Sequence, residues 1–262
     1  TLYLDHNHLD GSLPEAWGNM TKMYDLELNH NLLDGTLPAS WGHGMRLNMQ
    51  ILRLQNNRIT GTLPPSWSLM VPKLIALDIS SNRLVGTLPP QWANTTSPFF
   101  TFLSLRNNRL SGTLPSAWSR LRHLSQLYLD TNRLSGSIPS TWGGGSGGGG
   151  STEPPPGQQG DLLSTSPNQP NLQVITLQNN SLIGTIPNGI VNGSNLCILL
   201  LNDNRLRGRL PPLSPSLFRP YCTIYSGLST SSQFRPAFLV HNNRLSCSLP
   251  GAPRVAGPSD YI

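Results

Sequence analysis

Leu26-Glu27-Leu28-Asn29-His30-Asn31-Leu32-Leu33-Asp34-Gly35-Thr36-Leu37-Pro38-Ala39-Ser40-Trp41 decides the fold, because the string does not occur once. Leu2-Tyr3-Leu4-Asp5-His6-Asn7-His8-Leu9-Asp10-Gly11-Ser12-Leu13-Pro14-Glu15-Ala16-Trp17 is an earlier copy, and further copies surround Asn57, Asn82, Asn108, Asn132, Asn180, Asn204 and, altered, Asn243. Successive Asn are 24, 26, 25, 26, 24, 48, 24 and 39 residues apart. A period held near 25 residues means stacked coils. Leu-x-Leu, as in Leu52-Arg53-Leu54, alternates apolar and polar like a half-buried strand. Stacked copies therefore predict a parallel sheet on the inner face of a solenoid. The Asn that follows turns the chain inward, and its amide has the donors and acceptor to satisfy backbone groups left unpaired there. Gly at 11, 35, 61, 86, 112, 136, 184 and 208 suits close approach or positive φ, and the Pro after the next apolar residue stops helix or ladder.

The pattern L-x-x-L-x-L-x-x-N-x-L-x-G-x-I/L-P is that of leucine-rich repeats. In its G-T-L-P-x-x-W version it resembles the extracellular, plant-type repeats of receptor-like and inhibitor proteins. It is more similar still to repeats of kinetoplastid surface antigens and of green algae, where Trp holds this column. The resemblance implies an α/β solenoid, a right-handed coil with a short-stranded parallel sheet on the concave face and few or no regular helices. It also implies an extracellular or cell-surface protein of the secretory pathway, ligand recognition or adhesion, and no catalytic residue.

Composition agrees with a packed, turn-rich chain. Of 262 residues, 11% are charged, against about a quarter in ordinary soluble domains. Hydrophobics at 37% are too many for a disordered tail. The longest apolar run, Leu196 to Leu201, is too short to span a membrane. No N-terminal leader pattern is present, and the first residues already sit inside a repeat, which reads as a fragment of a longer ectodomain.

Two breaks divide the chain. Residues 1–142 hold six repeats. Residues 143–170 begin with GGGSGGGGS and pass into the Pro-rich stretch Thr152 to Pro170; this is either an engineered linker or a natural insertion. Residues 171–210 continue the solenoid. Residues 211–262 form an irregular last repeat and cap, because a solenoid needs an atypical end coil. Three cysteines give no framework and no zinc spacing. Cys222 and Cys247 both lie in the cap region and are the expected disulfide, with a free Cys197 or a Cys197–Cys222 bridge as alternatives.

All six Trp (Trp17, Trp41, Trp67, Trp92, Trp118, Trp142) share one column. That column reads as internal packing rather than a sugar- or base-stacking ladder, since Ile190 replaces Trp in the seventh coil. The sequons Asn19-Met20-Thr21, Asn94-Thr95-Thr96 and Asn192-Gly193-Ser194 lie in register on an outer edge, whereas Asn179-Asn180-Ser181 falls on the strand side. Net charge is +6. Arg58, Arg83, Arg109, Arg133, Arg205 and Arg244 follow the repeat Asn and predict a basic stripe along the sheet edge. It is either a solvated column or a site for an anionic glycan or acidic partner. Nucleic acid is not expected, because no aromatic side chains interleave with the Arg.

The expected ligand face lies on the concave strands: Tyr3, Glu27, Arg53, Asp78 and Tyr128, with Asp5, Asn29, Gln55, Arg106 and Asp130 two residues on. His6 and His30 share a column but lack a third metal ligand. No nucleophile elbow, metalloprotease or nucleotide motif occurs, so neither enzyme, metal nor cofactor is expected. The sequence thus predicts a recognition or adhesion module. A self-assembling coat or filament component and an inhibitor of a secreted hydrolase are the alternatives.

Overall fold

The structure, a computed structural model, describes residues 1–94, 97–143, 172–191, 195–212, 222–225, 231–234 and 236–246, with backbone alone at 143, 222–225 and 231–234. Sixteen short strands occur among them. The first eight are β1 (Leu2–Tyr3), β2 (Asp25–Glu27), β3 (Ile51–Arg53), β4 (Ala76–Asp78), β5 (Phe102–Ser104), β6 (Ser111–Thr113), β7 (Gln126–Tyr128) and β8 (Arg133–Ser137). The rest are β9 (Val174–Thr176), β10 (Ser181–Ile183), β11 (Ile198–Leu200), β12 (Arg207–Arg209), β13 (Cys222–Tyr225), β14 (Ser231–Phe234), β15 (Ala237–Leu239) and β16 (Arg244–Ser246).

The Leu-x-Leu segments build one parallel nine-stranded sheet in the order β1-β2-β3-β4-β5-β7-β9-β11-β15. Register follows the repeat, with Leu26 beside Leu52, Leu52 beside Leu77 and Leu77 beside Leu103. Tyr128 of β7 lies beside Thr176 of β9, so the coils on either side of residues 144–171 are direct neighbours.

Every described coil after the first uses its Asn in the same way. Asn82 Nδ2 donates to the Leu54 carbonyl one coil back and to Ile79 in its own coil, at 3.0 and 3.2 Å, while its Oδ1 accepts the Ile59 N–H at 3.0 Å. Asn108, Asn132, Asn180 and Asn204 repeat the arrangement. So does Asn243, with Leu201 and Leu206. Buried amides that use donors and acceptor together tie each coil to the last without leaving orphans.

The turn into each Asn needs one residue in left-handed conformation: His6, His30, Asn56, Ser81, Asn107, Thr131, Asn179, Asp203 and Asn242 have φ of 53–58°. Asn179 therefore stands in this turn, not on the strand. The Gly three residues before each Pro has positive φ as well; at Gly61 a Cβ would also lie 2.7 Å from Thr36 Cγ2, so a side chain is excluded twice.

The Trp column is internal. Trp41, Trp67 and Trp92 are at most 1% exposed. Rings stack as Trp17-Trp41-Trp67 and Trp92-Trp118-Trp142 at 6.2–6.5 Å between centroids. Each indole from Trp41 onward donates to the Pro carbonyl one coil back, at 2.9–3.0 Å. Ile190, 3% exposed, fills the same place in its coil. Around the Trp run short turns: 3-10 segments such as Glu15–Asn19, Pro65–Leu69 and Ser116–Arg120, and α-helical turns Trp41–Gly44 and Asn188–Val191.

A second set of strands was not legible in the sequence. Segments around x-Gly-Thr pair in parallel as β6-β8-β10 and β12-β16 on a flank of the solenoid. In the expected cap region β13 and β14 form an antiparallel pair, and the last unit keeps its strand β15, its Asn243 and its flank strand β16.

Candidate functional site

Alternation along each strand sends Leu26 and Leu28 inward and leaves Asp25, Glu27 and Asn29 on the concave side. Stacking turns these positions into three ranks. The middle rank runs Tyr3, Glu27, Arg53, Asp78, Ser104, Tyr128, Thr176, Leu200, Leu239. After Tyr3 it is charged through Glu27, Arg53 and Asp78 and it ends apolar, with Leu239 43% exposed.

Side chains in this face are held across coils. Tyr3 OH donates to Asp25 Oδ2 at 3.0 Å, and that bond to a carboxylate raises the phenol's pKa. Arg53 pairs with Glu27. Thr176 Oγ1 donates to Asp130 Oδ1 at 2.6 Å, and Arg106 Nε stands 3.5 Å from Asp130 Oδ2. Tyr128 packs against Phe102 with centroids 5.5 Å apart and donates to Gln126 Oε1 at 3.0 Å; burial raises its pKa.

Not every expected face residue offers surface to a ligand. Asn29 and Asp130 are 5% and 2% exposed, because ranks a strand spacing apart cover short side chains. Asp130 positions Arg106 and Thr176 instead. Tyr3, Glu27, Arg53, Asp78, Tyr128, Asp5, Gln55 and Arg106 keep exposed or half-buried surface. The first rank, Asp25, Ile51, Ala76, Phe102, Gln126, Val174, Ile198 and Ala237, was missed; its signal was the residue before each Leu-x-Leu. In the third rank the amide oxygens of Asn29, Gln55, Gln178 and Asn202 are buried with no hydrogen-bond partner among the described residues.

The Arg column stands at the sheet edge with a two-residue offset between coils, Arg133 lying beside Ser111 and Arg244 beside Arg207. The backbone N–H groups of Arg58, Arg83, Arg109, Arg133, Arg205 and Arg244 each donate to a carbonyl one coil back at 2.7–2.8 Å. All six side chains are exposed, and among the described residues none forms an ion pair. Ser181 holds the position between Arg133 and Arg205, so the stripe is two segments.

His6 and His30 stack at 4.2 Å, with His6 Nδ1 2.8 Å from Asp5 Oδ2 and His30 Nε2 3.1 Å from Asn56 Nδ2. The bond from His6 holds the Asp5 carboxyl below its ordinary pKa. No group of three or more His, Cys, Asp or Glu is placed for a metal among the described residues. Asn19 and Asn94 are exposed at the ends of their 3-10 turns, and Asn179 is exposed; Asn192 lies outside the described residues. Cys197 is disulfide-bonded. With three cysteines in the chain, an intrachain bridge from Cys197 uses one member of the expected Cys222–Cys247 pair, so that pair is corrected. The side chains of Cys222 and Cys247 lie outside the described residues. No described helix is long and apolar enough to cross a membrane.

The family model described as Leucine Rich Repeat matches residues 1–20, 48–70, 73–95, 100–121, 123–144 and 171–192, half of the chain. Among solved structures, the plant peptide hormone receptor RGFR1 in complex with RGF2 is 29% identical with a TM-score of 0.71, over 95% of this chain and 33% of the receptor. The Arabidopsis receptor kinase HAESA LRR ectodomain, in complex with an N-terminally extended IDA peptide hormone, is 28% identical with a TM-score of 0.67, over 91% and 33%. A plant ice-binding protein, 21% identical with a TM-score of 0.65 over 98% and 67%, shares the fold. The chain spans about a third of the length of the receptors it matches. No curated protein matches it.

Proposed function

The chain belongs to the leucine-rich-repeat family, and from that premise we propose that it is a non-catalytic recognition module working outside the cell. It takes a protein or peptide ligand on the concave sheet, with the Arg-lined edge adding charge. The observation that carries this reading is the set of cross-coil pairs Tyr3–Asp25, Arg53–Glu27 and Arg106–Asp130, which fixes groups of both signs on one rigid face. Binding then loses little side-chain entropy. The grade from charged Glu27 and Arg53 to apolar Leu200 and Leu239 suits an extended ligand with a polar and an apolar end. The receptors similar in fold and sequence are solved with peptide hormones, which supports a peptide ligand here. Exposed sequons at Asn19 and Asn94 and the bridge at Cys197 support an oxidising, extracellular setting.

The test is affinity capture from a native cell-surface extract by the immobilised chain and by an Arg53→Ala, Arg106→Ala, Tyr128→Ala variant. Recognition through this face predicts a protein or peptide retained by the first and lost by the second. Equal retention by both overturns the concave-face reading. Concentration-dependent light scattering without added ligand would instead favour self-assembly into a coat.

A further inference from the structure

The charge of the chain is not spread along it. In residues 1–203 eleven Lys and Arg are matched by eleven Asp and Glu, so the whole net charge of +6 belongs to residues 204–262, where seven Arg meet Asp260 alone. Four of those Arg gather at one small sheet, Arg207, Arg209 and Arg244 in its strands and Arg205 two residues ahead of β12. β12 and β16 pair in parallel with Arg207 directly beside Arg244. Leu206 is fully buried, so Arg205, Arg207 and Arg209 alternate outward from it, and all four Arg are exposed. No guanidinium of the four is ion-paired among the described residues. Like charges directly opposite in a sheet destabilise it, and a multivalent anion laid across them removes that cost.

Next to this patch lies an open groove of about 1220 Å³ on the same flank. Thr113, Ser137, Thr185 and Asn188 line it with Pro rings between, Arg207 closes one end, and no acidic residue borders it among the described residues. The groove runs along the C-terminal ends of β6 and β8 and the residues just after β10 to Arg207 of β12, and the N–H of Arg207 donates to the Gly184 carbonyl at 2.8 Å, so these coils are contiguous. At the usual strand spacing it is roughly 15 Å long, parallel to the solenoid axis.

We infer that this flank binds a linear sulfated polysaccharide, with sulfate esters on Arg205, Arg207, Arg209 and Arg244 and sugar hydroxyls along Thr113, Ser137 and Thr185. The guanidinium fork matches a sulfate oxyanion in two hydrogen bonds. The uncharged hydroxyl groove beside it matches a polymer that carries hydroxyl groups on every residue, which an acidic peptide does not. Single-stranded nucleic acid would need exposed aromatic faces, and the Trp column is internal. Arg205 and Arg244 also belong to the Arg-lined edge, but Arg207, Arg209 and the groove lie off the concave strands, and the concave-face test at Arg53, Arg106 and Tyr128 touches none of them, so the two readings fail separately.

Heparin is the probe, with polyglutamate of equal charge as comparison, both at physiological ionic strength. The wild-type chain binds heparin at least about tenfold more tightly than polyglutamate. Arg→Gln at 205, 207, 209 and 244 weakens heparin binding about tenfold or more, whereas Arg→Gln at 58, 83, 109 and 133 changes it less than about twofold. Thr113→Val, Ser137→Ala and Thr185→Val together weaken it about threefold with the salt dependence unchanged. Equal losses in the two Arg sets, or equal affinity for polyglutamate, overturn the inference. Should the first Arg variant fail to fold, heparin protection of wild-type arginines from phenylglyoxal, read by mass spectrometry, decides. Protection at Arg205, Arg207, Arg209 and Arg244 but not at Arg58 upholds the site, and uniform or absent protection sinks it.

Discussion

Asn57 Nδ2 sits 2.9 Å from the Leu28 carbonyl of the preceding coil, while its Oδ1 takes the Leu33 N–H at 3.0 Å and its second amide hydrogen reaches Leu54 at 3.1 Å. One side chain thus closes its own turn and fastens the neighbouring coil. Asn57→Ala strands the buried Leu33 N–H and leaves the Leu28 and Leu54 carbonyls with one donor each, from Asn31 and Asn82, so about 3 kcal/mol of stability is the expected loss. Asn57→Asp keeps only the acceptor and is expected to lose a comparable amount. Urea unfolding followed by far-UV circular dichroism measures both. A loss under about 0.5 kcal/mol would show that the ladder is redundant.

Trp67 makes a related bond from the opposite wall, its Nε1 donating to Pro38 at 2.9 Å while its ring stacks on Trp41. Trp67→Phe keeps most of the apolar volume but removes the shorter of the two hydrogen bonds to the Pro38 carbonyl, leaving the Trp41 N–H at 3.3 Å, and opens a small void, for an expected cost of about 2 kcal/mol. Trp17 is partly exposed and packs at the end of its stack. Trp17→Phe is therefore expected to cost less than half as much in the same urea titration. Equal costs would mean that burial and the indole bond do not set the energetics of the column.

Legibility in the sequence follows how strongly each position is bound to one physical requirement. Leu52, Asn57 and Gly61 each satisfy a constraint that only one or two residue types meet, so the repeat, the sheet and the inward Asn could be read directly. The flank strands could not, because Ser111-Gly112-Thr113 has the composition of a turn and becomes a strand only by lying beside Arg133-Leu134-Ser135. Exposure within the concave face was equally hidden. Asp130 and Arg106 look alike as polar residues of one rank, yet the shorter is covered and the longer reaches solvent. The pairing of Arg207 with Arg244 depends on a register offset that column counting does not supply.

Gly44 separates sterics from backbone preference. Its φ is −77°, open to any residue, yet a Cβ there would lie 1.4 Å from the Gly18 carbonyl oxygen of the previous coil. Gly11 is the reverse case, with φ of +80° and nothing within 4 Å of an added Cβ. Gly44→Ala should force the coils apart and cost at least about 2 kcal/mol, whereas Gly11→Ala should cost only the left-handed penalty of roughly 1 kcal/mol. Thermal midpoints rank the two variants. A Gly11→Ala variant less stable than Gly44→Ala would refute the close approach between Gly18 and Gly44.

Asp203 gives the chain an acid-sensitive contact near its C-terminal coils. Its carboxylate accepts hydrogen bonds from Asn242, one coil on, and from Asn202, and these bonds to the charged form hold its pKa below the ordinary carboxylate value. A depressed folded pKa adds stability that is fully present above the unfolded pKa of about 3.9 and disappears as pH falls through the lower folded value. The same sign applies to Asp5, held down by its bond from His6. Wild type is therefore expected to exceed an Asp203→Asn variant in urea midpoint by a constant margin from neutral pH down to about 5, with the margin shrinking below about 4. A margin that is unchanged at pH 2 to 3, or that grows on acidification, would show that the Asn242 contact does not discriminate between the charged and neutral carboxyl.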